Sequence, residues 1–265
     1  MKKLTTLSFI ILSFVAFSQS NTEINKLDNQ NRKQGYWCKH YRNGKMAYEG
    51  WFVNDKPVGE FKRYHENGVL KALLEYTENS PIVKVTFYNT SGIKISTGFY
   101  KHQKKDSLWQ YYSSKGNVIY EERYSNGLKH GRSKSYYKSG KIKESAMYSN
   151  GKLNGVLVLF FENGQNKSVI PYKNGTIDGK MTVYYPNGNI RVEGLYVKGL
   201  KEGEWKLYAE DGTLTQKIKY KKGIPENFDE LVKKESDYLN SLIKNAGKIK
   251  EPDINDISNS GGVGY

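Results

Sequence analysis

The sequence predicts an all-β protein: an elongated, open antiparallel β-meander of eight 24-residue β-hairpin repeats, with a C-terminal capping helix. Three observations predict it. One glycine returns without a slip at Gly44, Gly68, Gly92, Gly116, Gly140, Gly164, Gly188 and Gly212, always 24 residues on. Eight residues after each stands Phe52, Tyr76, Tyr100, Tyr124, Tyr148, Tyr172, Tyr196 or Tyr220, and four before each stands Tyr, Phe or His40. The composition is the third: aromatics reach 14% while the hydrophobic fraction is only 37%. That balance suits a thin structure in which Tyr gives its ring to neighbours and its hydroxyl to water. A fixed period of this kind decides the architecture before any local signal does.

Taken in chain order, residues 1–18 have the order of a signal peptide: Lys2 and Lys3, an apolar run from Leu4 to Phe17, then small and polar residues. The run is short for a bilayer span, so cleavage after Ser18 is expected, with a retained anchor as the alternative. Residues 19–34 form a lead-in. The repeat domain occupies 35–223. Its copies carry a second glycine nine before the first (Gly35, Gly59, Gly131, Gly155, Gly179, Gly203), where Val83 and Ser107 break the series. Each copy holds two β-forming runs divided by turn signals such as ENGV (66–69) and EDGT (210–213). Asn or Asp before Gly, which supplies φ > 0, fits a type I turn closed by a glycine bulge. The connection between copies, as in SNGKLNG (149–155), reads as the longer one.

Counting from the repeat glycine as zero, a bulged three-residue loop puts the −4 tyrosine, the +2 apolar residue and the +8 aromatic on one face. A two-residue loop would instead put the −7 residue there. Sixteen strands joined locally form a meander. A closed barrel is the alternative, disfavoured because no longer closing connection exists. Residues 224–247 read as a helix with Phe228, Leu231, Val232, Leu239, Leu242 and Ile243 on one stripe, Pro225 near its start and Gly247 as its stop. It is expected to cap the last strand. Residues 248–265 are polar and Gly/Ser-rich and read as a disordered tail.

The segments GEWKLYAEDG (203–212), GEFKRYHENG (59–68) and GYWCKHYRNG (35–44) resemble the MORN repeat, more closely its bacterial variant. The resemblance spans 25–223 and implies a β-hairpin repeat architecture. It also implies roles as interaction scaffold or membrane-surface binder, and bacterial relatives are often labelled antitoxin-like. Copies three and four depart from it at −9, and copy five has Ser133 where Trp is typical.

Catalytic chemistry is not expected. The four histidines, His40, His65, His102 and His130, sit at unrelated repeat positions without zinc-ligand spacing. Glu49, Glu121 and Glu193 share +5 and invite a paired-carboxylate reading. Leu73, Val169 and Lys217 stand at the same position, so a solvated strand face explains them better. No cofactor or metal is implied. Cys38, the single cysteine, builds no internal disulfide.

Two surface features remain. The face that bears the −7 residues, chiefly Trp37, Phe61, Trp109, Met181 and Trp205, is a candidate for partner binding, with packing on hairpin neighbours as the alternative. The inter-copy edge carries Lys104, Lys105, Lys129, Lys152, Lys173, Lys198, Lys201, Lys221 and Lys222 as an anion-binding strip, with solubility as the alternative. The formal charge of +15 falls to +13 if Lys2 and Lys3 leave with the signal peptide. Export makes nucleic acid a poor partner. An unidentified protein is expected first, and an anionic membrane surface or glycan second. The expected location is the periplasm or the cell exterior.

Overall fold

In the computed structural model, residues 23–245 are described; the expected signal peptide and the tail 248–265 lie outside them. Two kinds of turn generate the fold. The repeat glycine closes a three-residue loop, as the sequence predicts. Gly44 N–H donates to Tyr41 O (3.0 Å) and Tyr41 N–H to Lys45 O (2.8 Å), and the same pair of bonds recurs around Gly164 and Gly212. Gly44 has φ +79°, conformation that glycine adopts at no steric cost. The connection between copies is tighter than expected. Asn150 (φ +49°) and Gly151 (φ +81°) form a two-residue turn between Ser149 and Lys152, which pair directly. Positive φ at both centres is the type I′ geometry that matches strand twist.

The described residues fall into two units. The first comprises residues up to Ser107 together with Tyr112–Gly116. It holds β1 (Lys26–Leu27), β2 (Lys33–His40), β3 (Met46–Val53), β4 (Lys56–Tyr64), β5 (Leu70–Tyr76), β6 (Ile82–Tyr88) and β7 (Lys94–Lys101). Each pairs antiparallel with its neighbours in sequence, which is an open meander. β8 (Lys104–Tyr112) contributes residues to both units.

The second unit comprises Leu108–Tyr111 and the residues from Asn117 onward. It holds β9 (Val118–Ser125), β10 (Leu128–Lys129), β11 (Gly131–Tyr136), β12 (Ile142–Ser149), β13 (Lys152–Leu153), β14 (Gly155–Phe160) and β15 (Asn166–Lys173). It continues with β16 (Thr176–Ile177), β17 (Gly179–Tyr184), β18 (Ile190–Val197), β19 (Leu200–Tyr208), β20 (Leu214–Lys221) and β21 (Ile224–Pro225). Pairing again runs between sequence neighbours, or from a strand across a two-residue strand to the next. The 21 strands among the described residues exceed the sixteen expected. β1 and β21 pair beyond the repeats, and in copies five to seven the −9 glycine bulges out and splits one strand into two.

Position −9 shows how one residue decides local pairing. Gly59 and Gly203 have φ +64° and +66°, and the ladder to the preceding strand slips beside them. Ser107 keeps the left-handed conformation, at φ +57°. Val83, β-branched and unsuited to positive φ, has no bulge at all: β5 and β6 pair without interruption from Ala72↔Phe87 to Tyr76↔Val83. The residues that would have formed the bulge lie instead in the longer loop 77–81, so the 24-residue period survives.

The facing of side chains differs from the expectation. Tyr208 pairs with Leu214 (−4 with +2), as a bulged loop requires, but Leu207 then pairs with Gln216 and leaves Thr215 extra. Lys71 is extra in β5 and Ile95 in β7 for the same reason. This second bulge reverses the alternation, so the +8 aromatic joins the −7 residue on the opposite face. There the core lies. Trp109, Trp205, Val85, Ala72, Ala146 and Phe52 are buried, and all occupy −7, +4, +6 or +8. After β21 comes α1 (Phe228–Asn245), where the sequence places a helix at the end of the meander. Its described apolar residues Phe228, Val232 and Leu239 remain about half exposed (52, 47 and 51%).

Candidate functional site

The −7 residues are largely used up by the fold. Trp109 and Trp205 are 1% and 2% exposed, so neither offers area to a partner, and packing on the neighbouring strands accounts for Trp205 directly. Its indole lies on the backbone of Gly194, contacts Tyr196 and Tyr220 at 5.1 and 6.0 Å, and donates Nε1–H to Leu195 O (3.2 Å). Phe61 lies on Gly50 in the same way and touches Tyr48 and Phe52. Trp37, Phe61 and Met181 are half-buried. Trp37 donates Nε1–H to Gln34 O and Lys26 O. Trp51, which the −7 pattern does not contain, is the more accessible indole at 49% and stands edge-on to Tyr36 at 5.7 Å.

The expected lysine edge divides. Lys152, Lys173, Lys198, Lys221 and Lys222 of the second unit are exposed, as is Lys104 of the first, while Lys105 is half-buried. The turns that carry the second unit's lysines are stacked by backbone bonds: Gly151 N–H to Lys129 O, Gly175 N–H to Leu153 O, Gly199 N–H to Ile177 O and Gly223 N–H to Lys201 O, each 2.7–2.8 Å. Successive turns are thereby fixed one above another, and their lysines with them.

Lys129 and Lys201 do not belong to that strip. Lys201 Nζ lies over Trp205 (4.5 Å) and Tyr220 (4.7 Å). Lys33 does the same over Trp37 (4.7 Å) and Phe52 (5.0 Å). Lys129 lies over Tyr148 (5.2 Å) and Tyr120 (5.8 Å). All three occupy position −11, and their stems cover aromatic surface while the ammonium meets the ring faces.

Copy five, which lacks the −7 indole, uses the space differently. Ser133 is buried, and Glu122 at +6, where Gly50 and Gly194 stand elsewhere, is 4% exposed. Glu122 is ion-paired to Lys129 and accepts from Tyr124 Oη (2.7 Å) and Tyr111 Oη (3.1 Å). Burial pushes the Glu122 carboxyl up, but the Lys129 ammonium and the two hydroxyls outweigh it and hold it below the usual range. Burial together with Glu122 pushes Tyr111 up to about 12.

The +5 carboxylates are held on the opposite face. Glu49 accepts from Tyr36 and Tyr64 (both 2.5 Å). Glu121 accepts from Gln110 Nε2 (2.8 Å) and Tyr136 Oη (2.7 Å). Glu193 accepts from Tyr208 Oη (2.9 Å) and pairs with Lys180 (2.7 Å). These donors lower all three carboxyl pKa values, which is the opposite of what a proton donor for glycoside cleavage needs. Each is a tie between a −4 tyrosine and the preceding copy.

The described residues contain no helix long and apolar enough to cross a membrane. No curated protein matches the chain. The family model of the MORN repeat variant matches five segments, 57–78, 129–150, 153–174, 177–198 and 201–222. Each begins at −11 and ends at +10, so the matched unit runs from one stacked turn to the next. The unmatched stretches include copies three and four, where Val83 and Ser107 replace the −9 glycine, and also the first copy. Period and hairpin geometry make the chain a β-hairpin repeat protein, five segments of which match the MORN repeat variant.

Proposed function

We propose that the protein is an exported, non-catalytic repeat scaffold that binds a macromolecular partner, first a protein, along the stacked turns of its second unit. The observation that carries this reading is the backbone ladder that holds exposed Lys152, Lys173, Lys198, Lys221 and Lys222 on consecutive turns. Preordered cations cost less side-chain and loop entropy on binding than cations on separate mobile loops. They favour an acidic protein surface. The signal-peptide order of residues 1–18 supports export, and the use of Glu49, Glu121 and Glu193 as hydrogen-bond acceptors supports a structural rather than catalytic role for these carboxylates. An antitoxin or immunity-like role rests on the family resemblance.

A second reading has the same strip meeting anionic lipid or glycan, favoured by the lysine exposure itself. In-cell crosslinking of the tagged chain, followed by identification of what co-purifies, separates the two. One stoichiometric protein that is lost when the five lysines become Gln supports the scaffold. Recovery of lipid or glycan alone, lost in the same variant, overturns the protein reading in favour of the second.

A further inference from the structure

A cleft of about 980 Å³ opens in the first unit between the turn before β4 and the loop 77–81. Its walls include Lys56, Pro57, Tyr76, Glu78, Pro81 and Val83. It exists because of Val83. With no bulge at −9, the chain after Tyr76 leaves the sheet in a longer loop instead of the tight turn that other copies stack at this place.

What belongs in such a place is shown by the other copies. In three copies with lysine at −11 the ammonium rests on the +8 ring of its own copy: Lys33 on Phe52, Lys129 on Tyr148, Lys201 on Tyr220. In copy two the −11 residue is Pro57 and the +8 ring is Tyr76, and both line the cleft. The copy therefore keeps the ring without a lysine at −11, and the charge acting on Tyr76 is that of Arg63. Glu78 and Lys56 are the charged residues of the wall, so the cleft is locally neutral although the whole chain carries +15. A neutral wall with a carboxylate and a ring face admits a cation.

We propose that this cleft is a binding site for the side-chain ammonium of a lysine in a partner polypeptide, lying over Tyr76 beside Glu78. The site stands independently of the turn-borne lysines, since it uses none of them.

The test is a two-dimensional NMR titration of the full mature chain with the blocked peptide acetyl-Ala-Lys-Ala-amide. Saturable shifts confined to residues 53–58 and 76–83 are expected. Affinity should fall about tenfold or more when the peptide lysine is Nε-acetylated, which removes its charge. Pro57→Lys supplies the missing ammonium from the chain itself, as Lys33 and Lys201 do, and should abolish the shifts without loss of fold. Tyr76→Leu should weaken them. Absence of saturable shifts, shifts centred elsewhere, or undiminished binding by Pro57→Lys would each overturn the proposal. None of these outcomes bears on the scaffold reading, which the lysine-to-glutamine variant tests.

Discussion

The indole of Trp205 lies directly on the α-carbon of Gly194: a methyl group built there would stand 2.2 Å from Cδ2 and 2.3 Å from Cε2 of the ring. A half-exposed strand thereby buries a tryptophan to 98%, because its neighbour presents backbone rather than side chain. Gly194→Ala should destabilise the second unit by about 1–3 kcal/mol, since neither the ring nor the backbone it rests on can give. Trp205→Ala should cost about 3–5 kcal/mol. Both are read as a lower midpoint in urea, and an unchanged midpoint for Gly194→Ala would show that the indole is not held there.

Ser107 holds φ +57° at a position where six other copies have glycine. Ser107→Gly should stabilise the chain by about 0.5–1 kcal/mol, because relief of left-handed strain exceeds the added freedom of the unfolded glycine. Val83→Gly should do the reverse: Val83 sits in a regular ladder and gains nothing from φ > 0. Thermal melting of the two variants should move in opposite directions.

Ser168 Oγ is buried and is a side-chain polar atom that finds no hydrogen-bond partner. Ser168→Ala removes a desolvated hydroxyl without opening space and should stabilise by about 1 kcal/mol. Calorimetry of the variant decides it; a clear loss of stability would mean that the hydroxyl is satisfied in solution.

Glu122 has its carboxyl pKa lowered by Lys129 and two tyrosines. A lowered folded-state value contributes stability above the unfolded value near ~4.3, and that contribution is lost as the pH falls through the folded value. Glu122→Gln should cost about 2–3 kcal/mol at pH 7, less than a fully buried pair because Lys129 keeps 33% of its side chain exposed. The gap between variant and parent should narrow steadily below about pH 4. A gap constant from pH 7 to pH 3 would mean that the carboxylate charge contributes nothing.

The period, the turns and the split into hairpins were legible because each demands glycine or Asn–Gly, and Gly44, Gly164 and Asn150 supply it in plain view. The second bulge was not. Its extra residues, among them Ala47, Lys71, Ile95 and Thr215, share no chemistry, because a bulged residue near the right-handed helical conformation needs no special side chain. One unsignalled residue was enough to move the +8 aromatics to the other face and turn Trp205 from a candidate contact into core. The lysines at −11 were hidden for another reason. Lys129 and Lys201 sit near exposed turns, and only the folded chain shows their long stems laid back over rings. The Glu122 cluster could have been suspected from Ser133, since a missing indole leaves volume that something must fill.

The two borders of the repeat carry ties of opposite direction. At one, Tyr41 Oη reaches Tyr64 O, Tyr137 Oη reaches Phe160 O and Tyr185 Oη reaches Tyr208 O, each toward a carbonyl 23 residues later. At the other, Gly151, Gly175, Gly199 and Gly223 donate toward carbonyls already synthesised. A chain leaving the ribosome can therefore close the glycine border as each turn emerges, while Tyr41, Tyr137 and Tyr185 wait for the next copy to be translated. Growth of the structure is vectorial at these places: copies one, five and seven are completed by their successors, and a chain truncated just after one of them leaves its tyrosine idle and its border frayed.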